Sequence, residues 1–494
     1  MLEPPPIPNT NQPERRPKRG RMILIAVVVL LAAFAVWKAI DYWSEPPVPA
    51  FVSTPERVDA LRYLAAANSI ATAAGAELEK SDLDMSYIFR EIAETQARAG
   101  DIARARATAK AINKADLPTF ILIAVSAAQA EMGDPAGAKA TVRSLSSSAD
   151  EFINEAFVVA ARTQARRGDI AGAKATANII TDRASKAEAL SGIAAVQAKR
   201  GDVNGAIATA SAITDNDHQA SALAEIGAAQ AKAGDKAAAA QSLTQAEALT
   251  NGTKDSFARS GALRDLAVAQ ARTGDVVKAK VTARVVGTLA LDSPSAWQGI
   301  AKAQAKTGDI AGAKETANLS PDKHDKALAL SDVAAVQARS GDGAGASQTF
   351  AEAKAAAGPL AESYKGMTWC EIAAAQARAG DITAAQATIN SVTEEGFRTK
   401  AFSAIAFAQA KAGDLPGARA TINAIPSIEL YEPALFTALV AIVQLQAGRE
   451  GFPATEQWIQ NLSEPRARIL YYIALAKARL NSNGTHNDDS EDEG

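Results

Sequence analysis

The stretch Ile193-Ala194-Ala195-Val196-Gln197-Ala198-Lys199-Arg200-Gly201-Asp202 recurs, lightly edited, ten times along the chain. Its Gly-Asp dipeptides fall at 100, 133, 168, 201, 234, 274, 308, 341, 380 and 413, most often 33 residues apart, and a degenerate eleventh copy stands at Gly448-Arg449. A period of this length marks a solenoid of supersecondary units, each too small to bury its own apolar face.

Working outward from each Gly-Asp, the same chemistry returns at fixed offsets. Eleven residues before the Gly stands a large apolar residue, such as Phe89, Leu190, Trp297 or Phe402. Three residues on comes an aliphatic residue in most copies (Ile92, Ile193, Ile300), then a small one, and then a Gln followed by Ala in every copy. This spacing places them on one face of a helix. Gly ends that helix in a left-handed cap, and Asp opens the next as an N-cap. The second helix carries Ala four residues after the Asp. Three further on it carries Thr in nine copies and Ser242 in the tenth. Small residues at shared positions let two backbones approach closely, so the unit is an antiparallel helical hairpin.

In these spacings the chain resembles the tetratricopeptide repeat family over about residues 86–480. The large apolar residue, the aliphatic-small pair, Gly-Asp and the following Ala carry the resemblance. It implies an all-α, right-handed solenoid whose first helices line a concave groove. The chain departs from the family in having Gln for its mid-helix Tyr, Ala for most of its Gly, and generally no closing Pro. Its units are also about one residue short.

The ends differ from the array. Residues 1–21 are Pro-rich and basic (Arg15, Arg16, Lys18, Arg19, Arg21), without apolar periodicity, and read as a disordered arm. Residues 22–40 form an apolar run with Trp37, Lys38 and Trp43 near its far edge, which predicts one membrane span with the arm inside. A cleaved signal peptide is the rival reading, although the run is long for one and no small-x-small site follows. Residues 41–53 are a Pro-containing linker. Thr54-Pro55 then starts a helix that is expected to cap the array within 54–85, ahead of ten to eleven repeats over 86–462. Two longer intervals, 234 to 274 and 341 to 380, predict extended second helices. A block near Gly168 is repeated near Gly308, 140 residues on. Residues 463–480 are expected to cap the far end, with Lys477 where other units have Gln. Residues 481–494 are an acidic tail (Asp488, Asp489, Glu491, Asp492, Glu493).

Little of this points to catalysis. His218, His324 and His486 have no second ligand at metal spacing. Cys370, the one cysteine, takes an ordinary packing position. Gly341-Asp-Gly343-Ala-Gly345 lacks the Lys-Ser/Thr of a phosphate loop. The recurring Asp residues are helix caps rather than calcium ligands, and no basic cluster interleaves with aromatics as nucleic acid requires. No metal or cofactor is expected, and no enzymatic activity. The expectation is a membrane-anchored scaffold for a protein or peptide, set in a bacterial inner membrane with its repeats in the periplasm. A cell-envelope enzyme or a self-associating structural protein are the alternatives.

Two sets of residues carry sharper expectations. Gln164, Gln197, Gln304 and Gln337 come level with the Thr position of the second helix and should hydrogen-bond there or to backbone; the alternative is that they face solvent. Two residues after the Gln stands a cation in nine copies: Arg98, Arg166, Lys199, Lys232, Arg272, Lys306, Arg339, Arg378 and Lys411, with Glu131 in the tenth. Read plainly, these complement the helix C-terminus and the Asp three residues on. Under the family resemblance they form a positive ladder along the groove, suited to an acidic partner.

Overall fold

The computed structural model describes residues 54–79, 85–110, 117–143, 145, 149–289, 296–393, 397–425 and 433–482. The chain divides between residues 49 and 50, and everything described belongs to the second unit. The segment expected to cross a membrane, 22–40, lies outside the described residues, as do the basic arm and most of the acidic tail. Among the described residues no helix is long and apolar enough to cross a membrane.

All regular structure among the described residues is helical. Helix α1 spans Pro55–Glu79 and opens at Thr54, whose Oγ1 accepts the N–H of Arg57 at 3.4 Å. Hairpins follow: α2 Met85–Arg98 with α3 Ile102–Lys110, α4 Leu117–Glu131 with α5 Pro135–Val142, and α6 Asp150–Arg166 with α7 Ile170–Ile179. Next come α8 Arg183–Lys199 with α9 Val203–Ala210, α10 Asn216–Lys232 with α11 Lys236–Gly252, and α12 Ser256–Arg272 with α13 Val276–Leu289. The third group is α14 Ala296–Lys306 with α15 Ile310–Asn318, α16 Lys323–Arg339 with α17 Gly343–Ala357, and α18 Glu362–Arg378 with α19 Ile382–Asn390. Last are α20 Arg398–Lys411 with α21 Leu415–Asn423, α22 Pro433–Glu450 with α23 Phe452–Gln460, and the single helix α24 Pro465–Asn481. The long second helices α11 and α17 fill the two longer intervals.

Each Gly-Asp is built as the sequence requires. All ten glycines have φ between +83° and +94°. In each, the Asp N–H returns to the carbonyl of the repeat Gln, as Asp309 to Gln304 at 3.0 Å, and the Gly N–H returns to the Ala beyond it. This closes the last carbonyls of the first helix. The Asp side chain then caps the second helix, Asp309 Oδ1 accepting the N–H of Gly312 at 2.9 Å. The eleventh turn is not at Gly448-Arg449. Gly451, at φ +86°, makes it, because the first helix runs on to Glu450 and its glycine stands five residues past Gln446 instead of four.

The repeat Gln is the junction of the hairpin. In all ten copies its Oε1 accepts the hydroxyl of the Thr or Ser on the second helix. Eight of these bonds measure 2.6–2.9 Å, and the other two join Gln129 to Thr141 and Gln304 to Thr316. The glutamines are buried, so each bond satisfies an amide that would otherwise cost about 1–3 kcal/mol. In four repeats the Nε2 also reaches the cap Asp, as Gln304 to Asp309 at 2.8 Å and Gln197 to Asp202 at 2.8 Å. In each of these four the residue three past the Asp is Gly, and the reason is space. A Cβ at Gly312 would lie 2.1 Å from Asp309 Oδ2 and 2.6 Å from Gln304 Nε2. Where Lys278 replaces that glycine, the Gln270 Nε2 is buried without a hydrogen-bond partner.

The stack does not end in two caps. Helix α24 packs on α22 as one first helix on the next, and α1 packs along α24 as the second helix of its hairpin. Helix α1 continues onto α2, and α24 also touches α2. The N-terminal helix therefore completes the last unit, and residues 55–481 close into a ring of twelve hairpins. Neighbouring first helices pack on one another all the way round, whereas neighbouring second helices meet closely only at α5 and α7. The first helices accordingly form the inner layer. The seam is rich in large side chains: Tyr63, Leu64, Leu435, Phe436, Leu439, Ile469, Tyr472 and Ile473 share one core. Arg479 bonds Asp59 at 3.1 Å and Arg62 bonds Glu456 at 2.7 Å across it.

One substitution tests the Gln junction by its sign. Ala for Gly inside a helix normally stabilises by about 0.8–1.0 kcal/mol. Gly312→Ala should instead destabilise by about 1–3 kcal/mol, because Gln304 loses Asp309. Gly343→Ala, at a helical glycine with no atom within 4 Å of the added Cβ, should be neutral or stabilising. Chemical denaturation of both variants checks the pair; equal signs would rule the junction out.

Candidate binding surface

Each first helix spends the positions 11, 8, 7, 4 and 3 before its Gly on packing. What remains is a stripe at 13, 9, 6 and 2 before the Gly. Its spacings of four, three and four keep it on one helix face, which projects from the inner wall. The nine predicted cations occupy the last of these positions, so they all stand at the rim where the Gly-Asp turns lie.

The structure divides those nine. Arg98 lies 2.9 Å from Glu94 on its own helix and 3.3 Å from Glu131 on the next unit, and Arg167 also reaches Glu131 at 3.5 Å. Arg272 and Lys199 share Glu225 of the unit between them, at 2.9 and 4.0 Å. Apart from Glu94, their carboxylate partners come from neighbouring repeats, and the Asp three residues on caps the second helix instead. Lys232, Arg339, Arg378 and Lys411 are exposed and, among the described residues, have no carboxylate within 4.0 Å. Lys411 leans over the Phe407 ring at 5.4 Å. Arg166 and Lys306 are also exposed.

Higher on the inner wall the ion pairs continue between units: Arg162 with Glu188 at 3.3 Å, Lys302 with Asp332 at 3.9 Å, and Lys400 with Glu371 at 3.5 Å. One pair crosses the seam. Lys477, standing where other repeats have Gln, meets the buried Glu91 at 2.5 Å and lies over Phe436 at 4.5 Å. A Gln there would have no Thr to bind, since α1 lacks the repeat pattern. The substitution that marked the last helix as unusual therefore serves closure.

Continued back one further step to position 16, the stripe also holds an apolar patch. Phe120 and Phe152 are each nearly half exposed and meet edge-on with centroids 5.3 Å apart, and Val159 lies on the same face. Sequence reading passed over them, although an apolar residue at a stripe position is the available signal. A separate cavity of about 350 Å³ lies among α21, α22 and α24, lined by Leu435, Leu439, Leu470 and Tyr471. Burial pushes the Tyr471 hydroxyl up to about 12. Cys370 is buried, and His324 Nδ1 lies 2.8 Å from the Thr368 hydroxyl. No cluster of three metal-ligating side chains occurs among the described residues.

Glu94 makes the ion-pair lattice testable by pH. Burial pushes its carboxyl up, but the charges of Arg98, Lys477 and Arg90 outweigh it and hold it below the usual carboxylate range. A carboxyl with a depressed folded pKa stabilises the fold above its unfolded value of about 4.3. That contribution is lost as pH falls through the folded value. Glu94→Gln should therefore melt lower than the parent chain at neutral pH, and the gap should close in acid. A gap that persists in acid would mean the charge is not its source.

No family model matches the chain, and no curated protein matches it, so the tetratricopeptide likeness rests on residue spacings alone. Among solved structures, Ton1535 from Thermococcus onnurineus NA1 is similar at 13% identity, covering 64% of this chain and 98% of its own, with a TM-score of 0.24. A circular tandem repeat protein with novel repeat topology and enhanced subunit contact surfaces is similar at 13% identity, covering 84% and 98%, with a TM-score of 0.18. At such scores neither likeness adds to the helix contacts described above.

Proposed function

We propose that the chain is an interaction ring of tetratricopeptide type, tethered to a membrane through residues 22–40, that holds a protein or peptide against its inner wall. The observation that carries this is the inner stripe. Its side chains take no part in hairpin packing, yet they line one wall and combine exposed cations at the rim with the Phe120–Phe152–Val159 patch. Apolar anchors beside charges that steer association are the composition of a recognition surface. The partner that fits is acidic and carries an apolar residue. A catalytic reading has less support, because the carboxylates drawn together near the seam, Glu91, Glu94 and Glu131, are each engaged by a cation.

On this reading the repeats lie on the extracytoplasmic side of that membrane, with the basic arm inside. Replacing Lys232, Arg339 and Arg378 with Gln should weaken capture of a membrane-derived partner several-fold while leaving the melting temperature unchanged. Unchanged capture with a lowered melting temperature would assign these cations to helix ends alone.

A further inference from the structure

The unengaged groups of the inner stripe are not spread evenly round the ring. Counted from α2, α4 and α6 are the second and third of the twelve first helices, and α16, α18 and α20 the eighth to tenth. In a ring of twelve, α4 stands opposite α16 and α6 opposite α18. The Phe120–Phe152–Val159 patch therefore faces Arg339, Arg378 and Lys411 across the hole. These three cations are exposed, stand on consecutive first helices and, among the described residues, have no carboxylate within 4.0 Å. The patch has the opposite charge beside it. Glu155, exposed one turn from both Phe152 and Val159, has no cation within 4.0 Å among the described residues.

The other charges near each arc are taken. Glu371 is held by Lys400 at 3.5 Å and Asp332 by Lys302 at 3.9 Å, while Asp342, Asp381 and Asp414 cap second helices. Beside the patch, Arg162 is held by Glu188 at 3.3 Å. The two arcs also differ in height. The cations stand two residues before their Gly, and Phe120 and Phe152 stand 13 and 16 before theirs. At 1.5 Å per residue that places the aromatic rings about 16–21 Å further from the Gly-Asp rim.

Size decides what touches both arcs. Twelve helix axes about 8–10 Å apart make a circle about 30–38 Å across. Removing one helix diameter leaves a hole about 20–27 Å wide. A single helix, about 10–12 Å across with its side chains, reaches one arc at a time. Two packed helices span about 18–22 Å and reach both. An extended chain joins the arcs only by following the wall, over groups already paired with each other. Glu225 with Arg272 and Lys199 lies on one route, and Glu91 with Lys477 on the other. A ligand gains nothing there without breaking those pairs.

We propose that the ring takes a pair of packed helices, a helical hairpin or two-stranded coiled coil, through its hole. The pair carries carboxylates on one face at the Gly-Asp end. On the opposite face, at the other end, it carries apolar side chains with a cation. This rests on the reading of the inner stripe as a binding surface, and adds that both arcs engage one partner at once.

The test uses the full chain in detergent and three fluorescent synthetic probes, read by anisotropy at low salt. The first is a helical hairpin with Glu on one face at one end, and Leu and Lys on the opposite face at the other. The second has the same composition with all these residues on one face. The third is a single helix carrying them all. The hairpin with opposed faces should bind about tenfold more tightly than either rearranged probe, because its second contact is made within the complex. Arg378→Gln with Lys411→Gln, and Phe152→Ser alone, should each remove that advantage. All three positions are exposed, so the melting temperature should not change. Equal binding of the three probes, a loss confined to one arc, or no binding of the opposed-face hairpin would overturn the proposal. Equal binding that still falls with the Gln substitutions leaves recognition by the inner wall standing, so the two readings fail separately.

Discussion

A hairpin of two short, alanine-rich helices cannot cover itself. Each leaves an apolar face on either side, and in a stack the two terminal faces remain bare unless something closes them. Here each end closes the other. Helix α1 serves as the missing second helix of α24, and the seam they form is more heavily packed than the Ala-lined contacts elsewhere. Burying residues such as Leu64, Ile469 and Ile473 contributes about 1.5–3 kcal/mol each. That weight has a physical reason: the seam joins groups as far apart as Asp59 and Arg479, 420 residues along the chain, and must offset a long loop closure.

Closure also demands that units repeat with little variation, since small angular errors accumulate around a ring. The Gln junction supplies that regularity. Its backbone carbonyl closes the left-handed turn, its Oε1 fixes the second helix through Thr, and in four repeats its Nε2 holds the cap Asp. A family Tyr at that position would add bulk between the helices; Gln with Thr allows a closer approach. The inner stripe, freed from packing, is then available for ion pairs between units and for a ligand.

The hairpins were legible because all their determinants are local. Gly-Asp, the Gln and the Thr lie within a dozen residues of one another, and ten copies give the same answer. Glycines such as Gly312 were legible only as a pattern; their purpose, room for Gln304 against Asp309, needed coordinates. The ring itself was not legible. Helix α1 carries no Gly-Asp or repeat Gln, and nothing in local periodicity tells an end cap from a helix that completes a distant unit. Lys477 in place of Gln was the one trace, and it reads as capping until Glu91 is seen beside it. The eleventh turn escapes the pattern for a similar reason, since its glycine, Gly451, stands five residues past Gln446 where the other copies have four. The neutralisation of Arg98, Lys199 and Arg272 was not legible, because Glu131 and Glu225 meet these cations across units.

Hydrogen exchange measures closure most directly. An open array frays from its ends, so its first and last helices exchange fastest. A ring has no ends, and amides in α1 and α24 should be protected as strongly as those in central hairpins such as α10–α11. Lys477→Ala should lower protection in both seam helices together, although they lie at opposite ends of the sequence. Rapid exchange in α1 with α24 unaffected would contradict the closed ring.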